Sequence, residues 1–169
     1  MQDVARIAAV AVVGPSKLDV TWSDGTASTI DLAGWIARGS ARIAPLKDSS
    51  VFARAELGLY GGNVTWDGDE GDLAIDSEHL RMIGEHQAPF DAAAISAWQA
   101  DMGVSNAEAA DLVDVVPSTW FAYKAGTRVI PPTVARLCRA IRNDPVMLSA
   151  HLRPRVQGRP KGTGAGQTL

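Results

Sequence analysis

The sequence predicts a small α+β domain, an antiparallel meander plus short helices, followed by an all-α domain of five helices. Up to about residue 86, short strand-like runs alternate with turns rich in Gly, Asp and Pro. Beyond Pro89 the apolar residues recur every three to four positions, the period of an amphipathic helix. The change of pattern predicts domains at 1–86 and 89–155 and a flexible tail at 156–169.

The first domain opens with three strand-like runs, at residues 6–13, 18–22 and 26–30. Gly14-Pro15 and Asp24-Gly25 separate them, and Asp-Gly between alternating runs is a strong hairpin signal. The remaining predicted elements are a short helix capped by Asp31 that carries Leu32, Trp35 and Ile36, a strand at 63–66, and a closing helix at 77–83 that buries Leu80 and Ile83.

The second domain shows apolar stripes that begin just after residues suited to the first turn of a helix. The stripes are Ile95, Trp98 and Met102 after Asp91, then Val134, Leu137, Cys138 and Ile141 after Thr133, and finally Leu148 and Leu152 after Asp144-Pro145. With two helices between the first and second stripes, they predict a compact unit of five helices with short loops.

Residues 105–133 predict those two intervening helices, joined by a tight turn. Ser105 and Glu108 have the spacing of a capping box, in which each side chain satisfies an amide of the first turn. Pro117 is a favoured first-turn residue and opens the second helix. The buried face of the first helix is predicted to be Ala109, Leu112 and Val113.

In the second helix, Trp120 and Tyr123 lie three residues apart and are predicted to point inward. The outward residues are then Ser118, Phe121, Ala122 and Lys124. A shift of one residue would exchange Trp120 with Phe121 as the outward aromatic side chain, so both arrangements are alternatives at this point.

The spacing of Gly103, Ser105 and Ala110, and of Gly126, Arg128 and Pro131-Pro132, resembles the lambda-repressor-like (Xre-type) helix-turn-helix family over about residues 91–143. The resemblance implies a domain that binds duplex DNA through these two helices. It assigns Asn106, Pro117, Ser118, Phe121 and Ala122 to the groove, and Lys124, Thr127 and Arg128 to the phosphates. It also puts Asp114 at the turn position where glycine is usual, and we expect a left-handed backbone there.

The N-terminal half is similar to a widespread small bacterial domain of unknown function over about residues 4–80. The similar strings are Val20-Thr21-Trp22-Ser23-Asp24-Gly25, Ile30-Asp31-Leu32, Pro45-Leu46-Lys47-Asp48 with Phe52, and Val64-Thr65-Trp66 with Asp72-Leu73. Some relatives carry repressor-type helix-turn-helix domains or belong to toxin–antitoxin pairs, and the similarity supplies no catalytic motif.

The charge distribution favours either a dimer or a modest affinity for DNA. Residues 87–157 hold seven basic and six acidic side chains, whereas residues 1–86 hold seven basic and thirteen acidic ones. Contacts of lysine and arginine with phosphate supply most of the affinity for DNA. A homodimer on two half-sites would double the number of these contacts.

We therefore predict a transcriptional regulator that binds specific duplex DNA as a homodimer, while the first domain senses, dimerises or binds a protein partner. The alternative is a protein-interaction adaptor or antitoxin-like component whose helix-turn-helix fold no longer binds DNA.

Enzyme, cofactor and metal sites are not expected, because the histidines are scattered and Cys138 lies on an apolar stripe. The acidic run 67–72 with Glu78 partly mimics a calcium loop, but Gly71 and Asp72 stand where a ligand and a glycine are needed. A solvated loop is the other interpretation. The five tryptophans lie on strand and helix stripes and are expected in the core: Trp22, Trp35, Trp66, Trp98 and Trp120.

The apolar run at 7–13 is too short to cross a membrane and follows an acidic residue. We therefore expect a cytoplasmic protein with no membrane partner.

Overall fold

The computed structural model describes residues 5–155, and the chain divides into two compact units between Pro89 and Phe90. The first unit mixes strands and helices and the second is helical, which confirms the predicted α+β class. The predicted tail at 156–169 lies outside the described residues.

The first sheet of the N-terminal unit is the predicted antiparallel meander. It consists of β1 (Ile7–Gly14), β2 (Lys17–Trp22) and β3 (Ala27–Asp31), with β2 in the centre. Val10 lies opposite Val20 and Val12 opposite Leu18, so the apolar residues of paired strands share the buried face.

A second antiparallel sheet follows, made of β4 (Glu56–Leu57), β5 (Asn63–Thr65) and β6 (Ala74–Asp76). The strand predicted at 63–66 is the central strand of this sheet and ends at Thr65, whereas its two partners were not predicted. Its two partners have two and three residues, too few to show an alternating pattern.

Three helices complete the core of this unit: α1 (Ala33–Arg38), α2 (Ser49–Phe52) and α3 (Ser77–Gln87). Asp31 accepts the amide of Ala33 at 2.8 Å, although Leu32 itself takes the N-cap position of α1. Asp76 caps α3 through the amide of His79 at 2.8 Å, and α3 continues four residues past its predicted end at 83. The bulkiest buried side chains are those of Trp22, Trp66 and Phe52, which are accompanied by Leu18, Ile30, Leu32, Leu46 and Leu80.

The described part of the second unit forms five helices: α4 (Ala92–Met102), α5 (Asn106–Leu112), α6 (Pro117–Lys124), α7 (Pro132–Asn143) and α8 (Pro145–His151). Asp91 caps α4 through the amide of Ala94 at 2.9 Å, as its position predicts. Helix α7 begins at Pro132, one residue before the predicted start at Thr133, because proline suits the first helical position.

The core of the second unit contains Ile95, Trp98, Trp120, Cys138 and Ile141, all nearly inaccessible to solvent. Trp98 donates its indole N–H to the carbonyl of Cys138 at 2.6 Å, which joins α4 to α7. Burial raises the pKa of the Cys138 thiol to about 12. Cys138 therefore behaves as a small core residue.

Two carboxylates of the acidic loop at 67–72 accept backbone amides of the first unit. Both oxygens of Asp67 accept the amide of Leu73 at 3.1 Å, and Asp69 accepts the amide of Leu59 at 2.8 Å. Among residues 5–155, no group of three or more His, Cys, Asp or Glu side chains is arranged to hold a metal. No helix in that range is long and apolar enough to cross a membrane.

Candidate nucleic-acid interface

The start of α5 is set by the predicted capping box. The Ser105 hydroxyl accepts the amide of Glu108 at 3.3 Å, and the Glu108 carboxylate accepts the amide of Ser105 at 2.7 Å. These bonds, together with one from the amide of Arg155, hold the pKa of Glu108 below its usual value. The box therefore defines where α5 begins and keeps Glu108 ionised.

The turn between α5 and α6 depends on Asp114, whose φ of 55° is left-handed as expected. Its amide bonds to the carbonyl of Asp111 at 3.2 Å, and the amide of Val115 bonds to that of Ala110 at 3.0 Å. This pair of bonds is a Schellman closure, a motif that usually carries glycine at this position. The turn is therefore tight despite its exposed carboxylate.

Helix α6 is anchored from its inner face. Trp120 is fully buried and Tyr123 is 2% exposed, whereas Phe121 is 54% exposed. This outcome decides between the two alternatives for the aromatic residues, and the predicted inward position of Trp120 is confirmed. The Trp120 ring meets that of Trp98 edge to face, with 5.8 Å between centroids.

Gln99, which was not among the predicted site residues, links α4 to α6 and to the loop before α5. Its carbonyl oxygen accepts the indole N–H of Trp120 at 2.9 Å, and its amide donates to the carbonyl of Val104 at 3.1 Å. One side chain on α4 thus holds both α6 and the loop before α5. A glutamine next to an apolar stripe normally faces solvent, so no local signal marks this role.

The predicted groove residues on α6 lie on its first two turns. Pro117, Ser118 and Phe121 are exposed, whereas Ala122 is half-buried. The outer face thus combines one hydroxyl with a largely apolar surface.

Two predicted site residues from different helices bond to each other. Lys124, at the end of α6, donates to the side-chain oxygen of Asn106, at the start of α5, at 3.0 Å. This bond orients the Asn106 amide, whose nitrogen is a donor of two hydrogen bonds. The bond also places the Lys124 ammonium beside the first turn of α5.

The remaining predicted phosphate contacts lie at the end of α6. Arg128 is exposed and donates to the Thr119 hydroxyl at 3.1 Å, so its guanidinium lies along the helix. Thr127 is exposed, but its hydroxyl donates to the carbonyl of Ala122 at 3.2 Å. Gly126, at a φ of 70°, allows the chain to reverse between them and α6.

The carboxylates of α5 are partly neutralised by Arg155, another residue that the sequence analysis missed. Its guanidinium bonds to Asp111 at 3.1 Å, and its amide donates to Glu108 at 2.9 Å. Arg155 lies 44 residues after Asp111, so spacing along the chain carries no sign of this pair. The positive charge offsets repulsion that these carboxylates would exert on an approaching polyanion.

The structure is similar to that of a protein from Nitrosomonas europaea ATCC 19718 that is provisionally named a DNA-binding protein. The TM-score is 0.44, with 22% identity over 82% of this chain and 86% of that chain. No family model matches the sequence, and no curated protein matches it.

Proposed function

We propose that this protein binds duplex DNA through α5 and α6 and acts as a homodimeric transcriptional regulator of the helix-turn-helix, lambda-repressor-like type. The main support is the arrangement of α6, in which Trp120 is fully buried and Phe121, about 100° further around the helix, is 54% exposed. A helix anchored on one face and open on the other suits the major groove, which is about 12 Å wide. The proposed role is non-catalytic and cytoplasmic.

Base reading in this proposal depends on few polar groups. The Ser118 hydroxyl both donates and accepts, and the Asn106 amide donates to purine acceptors. Phe121 and Ala122 offer apolar contact to thymine methyl groups. We therefore propose a preference for thymine under the middle of α6.

Phosphate contacts are assigned to Lys124, the last residue of α6, and to Thr127 and Arg128 in the segment that follows it. Each neutralised phosphate on B-DNA contributes about 0.9 to the slope of log affinity against log salt. Two cations in one copy make a weak DNA-binding site. The proposed regulator therefore binds as two copies on two half-sites.

The test begins with selection of bound duplexes from a random pool, followed by salt titration of the selected duplex. Lys124→Ala combined with Arg128→Ala should flatten the slope by about 2 per copy. The matched control is Arg38→Ala combined with Lys47→Ala, which removes two exposed cations from the first unit. Absence of binding at low salt, or equal slopes for both double variants, would overturn the proposal.

The second candidate is a protein-interaction adaptor or antitoxin-like component without a DNA target. It is favoured by apolar side chains on and beside α6: Val116 is 61% exposed, Phe121 54% and Val129 87%. Such exposure also suits a protein partner. Under this candidate no salt-dependent gel shift occurs, and Phe121→Ala releases a protein partner that the lysine and arginine variants retain.

A further inference from the structure

The end of β4 and its connection to β5 expose three large apolar side chains. Tyr60 is 85% exposed, Leu59 63% and Leu57 39%. Tyr60 has a φ of 56° and a ψ of 18°, a left-handed conformation that is an outlier for a bulky residue outside active or binding sites. Glycine or asparagine would satisfy this backbone at lower energy, so the fold itself does not require an aromatic side chain here.

Two hydrogen bonds and a close approach to β1 fix the backbone of the connection. Asp69 accepts the amide of Leu59 at 2.8 Å, and Arg6 donates to the carbonyl of Tyr60 at 2.9 Å. Gly61, at a φ of 68°, lies so close to β1 that a Cβ atom there would come within 2.2 Å of the carbonyl oxygen of Ile7. The tip formed by Leu57, Leu59 and Tyr60 is therefore preorganised and loses little freedom when it binds.

We propose that this tip, the Leu57–Tyr60 surface, is where two copies of the chain associate about a two-fold axis. A two-fold interface brings the same patch of both copies together, so it must be complementary to itself. The tip carries both signs of charge, because exposed Asp69 bonds to the amide of Leu59 and exposed Arg6 bonds to the carbonyl of Tyr60. The proposed axis pairs the carboxylate of each copy with the guanidinium of the other.

The inference deepens the proposed function and rests on it in one respect, since it names the surface that would form the homodimer. Tyrosine commonly anchors the centre of an interface and buries about 150–250 Å². A standard stable interface buries roughly 800 Å² per partner over about 20–30 residues, more than the three side chains of the tip supply. The dimer is accordingly concentration-dependent, and a duplex with two half-sites strengthens it.

The first experiment is sedimentation of the full chain without DNA over a wide range of concentration. Tyr60→Gly relieves the left-handed strain, so its melting temperature should equal or exceed that of the natural chain. Its dimer dissociation constant should rise by about 30-fold, the loss typical of an interface hot spot. Met82→Ala is the matched control, because Met82 is 54% exposed on α3 of the same unit; it should dimerise normally.

The second experiment tests the charge arrangement by mixing. Arg6→Glu and Asp69→Arg should each weaken self-association, since each places like charges across the axis. Mixing the two variants restores an unlike pair at both positions of a two-fold interface, so the mixture should associate more tightly than either alone. Loss of the bonds to Leu59 and Tyr60 within each copy cannot produce this recovery.

A chain that stays monomeric at every concentration, a Tyr60→Gly variant that dimerises normally, or a mixture no tighter than its components would each overturn the inference. Because these measurements use no DNA, their failure is separate from failure of the gel shift. A monomer that still binds duplex DNA would refute the proposed dimer surface without contradicting the proposal that the protein binds DNA.

Discussion

Trp120 and Phe121 are neighbours in the chain with opposite environments, and replacing each by alanine should have opposite consequences. Trp120→Ala removes a fully buried ring and leaves the side-chain oxygen of Gln99 without its donor. Truncation of a buried tryptophan costs about 3–5 kcal/mol, and an orphaned acceptor adds about 1–3 kcal/mol. A unit of this size is typically stable by about 4–10 kcal/mol, so the variant should leave the second unit largely unfolded.

Phe121→Ala should barely change the stability of the second unit, because the ring is 54% exposed. Exposed substitutions usually fall within about 0.5 kcal/mol, and alanine has the higher helix propensity. The same change should weaken binding to the selected duplex several-fold, since it removes the largest apolar contact on the outer face of α6.

Amide hydrogen exchange followed by NMR is the suitable assay, because tryptophans in both units make total fluorescence ambiguous. Exchange in α4 to α7 should accelerate strongly in Trp120→Ala, while the strands β1 to β3 stay protected. Trp120→Phe, which keeps a ring beside Trp98 but loses the bond to Gln99, should lie between. Equal protection losses in Trp120→Ala and Phe121→Ala would refute the assigned face of α6.

Three further predictions concern single groups. Hydrogen bonds from the Thr26 side chain and amide lower the pKa of Asp24 from 3.8 to about 2. The stabilisation of the fold by this carboxylate is therefore present above pH 3.8 and is lost as the pH falls toward 2. This pH dependence should disappear in Asp24→Asn, as NMR titration of the carboxyl group together with denaturation can show. Since burial raises the pKa of Cys138 to about 12, a thiol reagent should modify it no faster than the second unit opens, and Trp120→Ala should speed the reaction. Asp114→Gly relieves a φ of 55° and should raise the unfolding free energy by up to about 1 kcal/mol; a decrease would contradict the strain.

The starts of α4, α5, α6 and α8 were predictable because their determinants lie within a few residues. The capping box of Ser105 and Glu108, the start of α6 at Pro117 and the caps at Asp91 and Asp144 all join a side chain to a nearby amide, or match a preferred backbone angle. The composition of the stripes likewise predicted most of the core. The eight predicted DNA-contact residues remain a prediction.

The short strands β4 and β6 were not predictable, because a strand of two or three residues is stabilised by its partner and not by its own pattern. The tip at Tyr60 was missed for a similar reason. Its exposure and left-handed backbone follow from contacts with Arg6 and Asp69, which lie 54 and 10 residues away from the atoms they bond.

From the sequence alone follow the α+β class, the order of most elements and the starts of most helices in the second unit, since those depend on neighbours along the chain. Only the folded chain decided which aromatic side chain of α6 turns outward, which cation bonds to Asn106 and which arginine offsets Asp111. Each of these depends on groups brought together across 18 to 44 residues, where packing selects among arrangements that local periodicity leaves equivalent.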